Sequence, residues 1–135
     1  MIFVDTGAWF ALTVPGDRDH DAANEWLQTN NQSLLTTDYV VSETLTLFRA
    51  RGQYKSAIDM GKGLLSGKFA SIEHVTTRDF ESAWQIFKRF DDKDWSFTDC
   101  TSRVVMQRLG IQTAFAFDDD FRQFGTVEVV PQIAA

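Results

Sequence analysis

The sequence predicts a three-layer α/β/α sandwich around a central, mainly parallel sheet of about five strands. Three observations carry that prediction. Short apolar, β-prone runs alternate with longer segments of helical periodicity, a pattern that right-handed crossovers convert into a parallel sheet. The first run, Ile2-Phe3-Val4, is apolar throughout, as a strand covered on both faces must be. Finally, 135 residues, 44% hydrophobic and 24% charged, suit a single domain over residues 1–135.

The first strand ends at Asp5, and Gly7 to Val14 reads as an apolar helix closed by Pro15-Gly16. Asp19 or Asp21 can start a helix through Asn30, with Ala23, Trp26 and Leu27 on its inner face. Leu34 to Thr37 is a second strand. Asp38 to about Arg51 is amphipathic and stopped by Gly52, and Lys55 to Leu65 forms a further helix. Ser71 to Val75 alternates as a strand does. From Thr77 to Phe90, the apolar residues Phe80, Ala83, Trp84 and Phe87 recur at helical spacing. A polar loop, Asp91 to Ser96, leads into a helix ending at Leu109-Gly110. Ala114 to Phe117 is a strand, Phe121 to Phe124 a short helix, and Val127 to Val130 the last strand.

Bulk properties exclude several classes. Acids outnumber Lys and Arg by 19 to 13, a net charge of −6, which argues against holding nucleic acid through overall positive charge. No apolar run approaches the roughly 18 residues that span a bilayer, and no secretory signal opens the chain. One cysteine, Cys100, allows no internal disulfide, which agrees with a reducing cytoplasm. His20 and His74 are too scattered to build a zinc site with it, and no Gly-rich phosphate loop occurs.

Asp5-Thr6-Gly7 reproduces the tripeptide of aspartic proteases, whose paired aspartates share a proton. Those subunits are nearly all β, whereas more than half of this chain reads as helix, so the dyad is disfavoured. In an open parallel sheet, ligands bind beyond the carboxyl ends of the strands, and Asp5 and Asp118 occupy two such ends. The plainer reading is that each caps the helix that follows. Glu43 has no basic residue one turn away; its neighbours are Tyr39, Val40, Thr46 and Leu47, so either a metal or a distant cation must compensate it. Asp99 falls in the first turn of its helix, where Ser96 or Thr98 is the cap. An ion pair with Arg103 would explain it, but Thr98, Cys100, Thr101 and Ser102 also leave room for a site. Asp94 either supports that site or caps the preceding loop. Carboxylates gathered without lysines repel one another, and Mg²⁺ or Mn²⁺ is the usual compensation.

The segments Asp5-Thr6-Gly7-Ala8-Trp9, Ser42-Glu43, Trp95-Ser96-Phe97-Thr98-Asp99-Cys100 and Ala116-Phe117-Asp118-Asp119-Asp120-Phe121, in that order, resemble the PIN-domain family, particularly its VapC-like toxins. The resemblance spans essentially the whole chain. It implies an α/β/α sandwich, endoribonuclease activity dependent on one or two Mg²⁺ or Mn²⁺ ions, a homodimer, and a small antitoxin partner. By position, the acidic quartet that would bind metal and catalyse falls on Asp5, Glu43, Asp99 and Asp118, with Asp120 the alternative fourth acid. Thr6, Thr98, Asp94 and Asp120 are supporting positions. Arg49, Arg51 and Lys55 are candidate RNA-backbone contacts, or simply a solvated helix end. Two rivals remain: a phosphotransfer domain, which needs a late lysine although none follows Lys93, and a scaffold with an inert acidic site. A PIN nuclease of RNA processing without a toxin role is the nearer alternative.

Overall fold

The computed structural model describes residues 1–132, in which strands and helices follow one another as the alternation predicts. Strand β1 (Ile2–Val4) leads into α1 (Thr6–Thr13) and α2 (His20–Thr29), and β2 (Leu34–Thr37) into α3 (Asp38–Ala50) and α4 (Tyr54–Leu65). Strand β3 (Ser71–Glu73) precedes α5 (Thr77–Arg89) and α6 (Phe97–Leu109); β4 (Thr113–Phe115), α7 (Asp120–Gln123) and β5 (Glu128–Val130) follow. Every pairing is parallel, in the order β3-β2-β1-β4-β5.

Strand β1 lies at the centre, where the order of strands reverses. β2 and β3 extend to one side of it, β4 and β5 to the other, so a crevice opens beyond the carboxyl ends of β1 and β4. Successive strand residues point to opposite faces. Phe3 packs on Phe121 of α7, at 5.9 Å between ring centroids, whereas Phe115, in register with the next residue, Val4, packs on Trp26 of α2 at 4.3 Å. Helices therefore cover both faces, and β1 is wholly buried. This is the predicted sandwich.

Helices α1, α3 and α6 all begin at the carboxyl edge of the sheet. Thr37 caps α3, its Oγ1 accepting from the Val40 N–H at 3.1 Å. Ser96 and Asp99 cap α6 reciprocally, and Gly110, at φ 69°, turns the chain out of it in the left-handed region.

Three sequence expectations are altered. Strand β3 stops at Glu73 rather than Val75, because the Val75 N–H donates to Asp38 Oδ1 at 2.9 Å instead of to the ladder. On α5 only Ala83 of the apolar set is buried; Phe80, Trp84 and Phe87 are about half exposed. That helix packs on α6, and its aromatic rings close round Phe97, with Phe80 at 4.9 Å and Phe87 at 6.0 Å. Leu27 of α2 is likewise exposed rather than inward. No described helix is long and apolar enough to cross a membrane.

Candidate active site

Asp5 follows β1 directly and is 2% exposed. It occupies the N-cap position of α1, yet its side chain makes no capping hydrogen bond, and its buried Oδ1 has no partner. Burial first, then the charges of Asp118, Asp99 and Glu43, hold its pKa well above the usual carboxylate range. Asp118 lies beyond β4, with Oδ1 accepting the Asp120 N–H at 3.1 Å. Although Asp118 as a residue is exposed, its pKa too is raised, by desolvation in the crevice and then by Asp120, with Glu43 a further contributor. Glu43 reaches the same region, half-buried, from the second turn of α3.

Asp99 has an internal control. Helices α5 and α6 begin with the same capping box, in which Thr76 and Asp79, or Ser96 and Asp99, exchange hydrogen bonds at 3.0 Å. Both aspartates are buried, at 3% and 6% exposure. Burial alone would raise Asp79, but Arg108 donates to both its oxygens, at 2.9 and 2.8 Å, and its pKa is lowered. Asp99 has no such partner. Burial, and after it the side chain of Asp120, push its pKa up to about 8, with Asp118 adding to the effect. Being an acid in a helix cap therefore does not account for Asp99; burial without a cationic partner, and after it the carboxylates facing it, do.

Asp120 thus stands nearer the centre of the site than its place as a supporting residue suggests, and Asp118 and Asp120 both belong to it. Their neighbour Asp119 instead pairs with Arg122 at 3.3 Å. The alternative Asp99–Arg103 ion pair does not form. The Arg103 guanidinium lies 5.6 Å from the ring centroids of Phe90, Trp95 and Phe124, drawn to aromatic faces. Asp94 is exposed on a separate recess with Trp95 and Cys100, outside the carboxylate group. Burial, then Asp99, push the Cys100 thiol up to about 11, so it is no nucleophile at neutral pH.

The hydroxyl of Thr6 is turned to α3 rather than to a carboxylate. Its Oγ1 lies 3.2 Å from Thr44 Oγ1 and 3.5 Å from the Val40 carbonyl, which also accepts from Thr44 at 2.7 Å. Thr6 therefore joins the start of α1 to the turn of α3 that carries Glu43. Thr98 lines a recess with Glu43. Arg49, Arg51 and Lys55 are not brought to the carboxylates: α3 carries Arg49 about 9 Å along its axis from Glu43. Arg49 and Arg51 rest over the rings of Tyr54 and Phe10, at 4.7 and 5.8 Å.

None of Asp5, Glu43, Asp99, Asp118 or Asp120 makes an ion pair with a described residue. No three carboxylate, imidazole or thiol groups among the described residues stand as a ready cation cage, as like charges without a counter-ion keep apart. The donor set nevertheless fits a hard divalent cation: the donors are oxygens, and the buried Oδ1 of Asp5 lacks any other partner. In the sequence, Tyr39, Ser42 and Thr46 stood out only as neighbours of Glu43, not as site residues, and all three line the recess beside it. Tyr39 and Thr46, four before and three after Glu43, were one turn away on α3.

A parallel sheet with this strand order, and acids from four segments meeting at its reversal point, is the architecture of the PIN fold. A profile of the PIN domain family matches residues 2–127, and the chain belongs to that family. It is 40% identical over 132 residues to the 23S rRNA-specific endonuclease VapC20 of Mycobacterium tuberculosis, spanning 98% of this chain and 100% of that protein. The crystal structure of VapC20, described as a sarcin-ricin loop cleaving toxin, superimposes with a TM-score of 0.89 at 39% identity, over 96% of this chain and 98% of that one. A toxin-antitoxin complex from Klebsiella pneumoniae matches in fold alone, with a TM-score of 0.66 at 12% identity over 94% and 95% of the two chains.

Proposed function

We propose that this chain is a Mg²⁺- or Mn²⁺-dependent endoribonuclease, the toxin of a toxin–antitoxin pair, with large-subunit ribosomal RNA as its target. The observation that carries the reading is the convergence of Asp5, Glu43, Asp99, Asp118 and Asp120 at one end of the sheet, with the buried Oδ1 of Asp5 unpartnered and no cationic side chain among the described residues paired to any of the five. The 40% identity to VapC20 over nearly the full length of both chains supports the choice of RNA.

Asp5 and Asp99 would hold the cation, flanked by Glu43 and Asp118. When bound, the cation supplies a water made acidic enough to attack and a positive charge against the phosphate. Asp99, whose pKa burial and then Asp120 push up to about 8, would hold the cation as its carboxylate. The Thr6–Thr44–Val40 contacts hold α1 against α3, and with them the separation of Asp5 and Glu43. Cleavage by attack of water would leave a 5′-phosphate and a 3′-hydroxyl. The reading includes action in the cytoplasm, a homodimer, and neutralisation by a small antitoxin.

The test is cleavage of an end-labelled sarcin-ricin loop RNA, with an unrelated hairpin as control, across titrations of Mg²⁺ and Mn²⁺. Asp5→Asn and Asp99→Asn should each lower cleavage by at least about a hundredfold, whereas Asp94→Asn should stay within about twofold. A wild-type protein inactive with both metals, or Asn variants as active as wild type, would overturn the reading.

A further inference from the structure

We propose that the recess between the first turns of α3 and the start of α6 receives one base of the RNA, next to the phosphate being cleaved. The proposal rests on the nuclease reading and deepens it by assigning a base-recognition subsite.

The recess has a volume of about 490 Å³ and is lined by Asp38, Tyr39, Ser42, Glu43, Thr46 and Thr98. Glu43 belongs to the carboxylate group described above, so an occupant of the recess lies beside the reacting centre. The lining contains no lysine or arginine and two carboxylates. A phosphate would be repelled there, whereas the edge of a base brings N–H donors that carboxylate and hydroxyl oxygens accept.

The hydroxyl groups provide the second, independent argument. Elsewhere in the helices several such groups are turned back on the chain, although Tyr54, Ser56, Thr77 and Ser82 make no such bond among the described residues. Thr13 donates to the Trp9 carbonyl at 2.9 Å, Thr44 to Val40 at 2.7 Å, and Thr101 and Ser102 to Thr98 at 2.6 and 3.0 Å. Around the recess, the side-chain oxygens of Tyr39, Ser42, Thr46 and Thr98 have no hydrogen-bond partner among the described residues. Tyr39, Ser42 and Thr46 follow one another at three and four residues, which aligns them on one face of α3. Asp38 at the rim is fixed: its Oδ1 accepts from the N–H groups of Tyr39 and Val75 at 3.0 and 2.9 Å, and His74 Nδ1 lies 3.2 Å from Oδ2. A row of free hydroxyls between a held carboxylate and a reacting one suits a base splayed out of a loop.

Two measurements test this on the intact chain. In the first, backbone amide resonances are followed by NMR while each of the four nucleoside 5′-monophosphates, or inorganic phosphate, is added. Saturable shifts at Tyr39, Ser42, Thr46 and Thr98 with at least one nucleotide, absent with phosphate, are expected. Equal shifts with phosphate, or none at these residues, overturn the proposal. In the second, the nucleotides flanking the cleavage site are permuted, and cleavage by wild type is compared with that by Ser42→Ala and Thr46→Val, each checked for an unchanged melting temperature. The ratio of kcat/KM between the best and worst base should fall about tenfold. A ratio unchanged by both substitutions, or a wild type indifferent to the base, also overturns it. A wild type that cleaves no RNA refutes the nuclease reading, while the nucleotide titration still decides the recess.

Discussion

Replacing Asp99 by Asn in protein freed of divalent cations should make the protein more stable at alkaline pH. The Asn side chain keeps an oxygen to accept the Ser96 N–H, so the cap on α6 survives the change. What it removes is a buried charge. The folded carboxyl titrates at about 8, against a reference value of 3.8 for an unperturbed aspartate. Folded protein therefore binds more protons than unfolded protein between those limits. The stability that protonation confers is complete below about pH 4 and is lost as pH rises towards 8. A displacement of about four pH units, at ~1.4 kcal/mol per unit, sets a ceiling of about 6 kcal/mol. Water and monovalent ions entering the crevice reduce the realised fall to about 2–4 kcal/mol. The assay is urea unfolding in excess EDTA, followed by fluorescence of the four tryptophans from about pH 5 to about pH 8.5. Wild type should weaken steadily over that range. Asp99→Asn should weaken much less and end the more stable protein, with a residual slope because Asp5 and Asp118 are raised as well. Saturating Mg²⁺ should flatten the wild-type curve. A wild-type stability independent of pH in EDTA, or the same slope in the Asn variant, would refute the reasoning.

Asp79→Asn, the same change in the matching capping box, should act in the opposite sense. It should cost about 2–3 kcal/mol in urea unfolding at neutral pH, and the difference should vanish as pH falls through the depressed pKa of Asp79, below about pH 4. Gly63→Ala places a Cβ 2.0 Å from the ring of Phe69, so the ring must leave its seat, at a cost of about 1–3 kcal/mol in the same experiment. Cys100, buried and with its thiol raised to about 11, should resist iodoacetamide in the folded protein and react only on unfolding, as mass spectrometry would record.

Most of the fold was legible because local signals and the tertiary arrangement agree. The uniform burial of Ile2-Phe3-Val4 follows from its place at the centre of the sheet, and Gly110 ends α6 where its sequence position suggests. The strand ends were harder to read, because they are set by side chains from elsewhere. Nothing near Val75 says that Asp38, 37 residues earlier, will take its N–H out of the ladder. The aromatic spacing on α5 identified a helix but not its surroundings. Periodicity reports which residues share a face, not whether a sheet, another helix or solvent covers it. Asp5, Glu43, Asp99 and Asp118 could be picked out individually; their convergence depends on a strand order that brings β4 beside β1. The alternative of an Asp99–Arg103 pair rested on spacing alone, whereas the three rings that surround the Arg103 guanidinium come from three segments of the chain.

The acidic run Asp118-Asp119-Asp120 shows how local sequence and tertiary placement divide the work. Three adjacent carboxylates are locally equivalent, and any of them could cap the short helix that follows. In the folded chain they separate. Asp119 turns out to Arg122; Asp118 holds the Asp120 N–H and is the leading charge on Asp5; Asp120 is the leading neighbour of Asp99. The acids of the site are thus not equal: Asp118 leads on Asp5 and Asp120 on Asp99, giving two inner–outer pairs, while Asp120 also acts on Asp118, Asp118 on Asp99, and Glu43 on Asp5 and Asp118. Each pair joins an acid buried at the start of a helix to one delivered by the segment after β4. The buried members are fixed by β1 and by the Ser96 cap, whereas the outer members come from a loop and a helix of four residues. Burial keeps the inner acids from ionising alone, and the outer acids raise that cost further. A divalent cation held between the pairs would offset the repulsion between their carboxylates, at the cost of displacing the protons that burial favours.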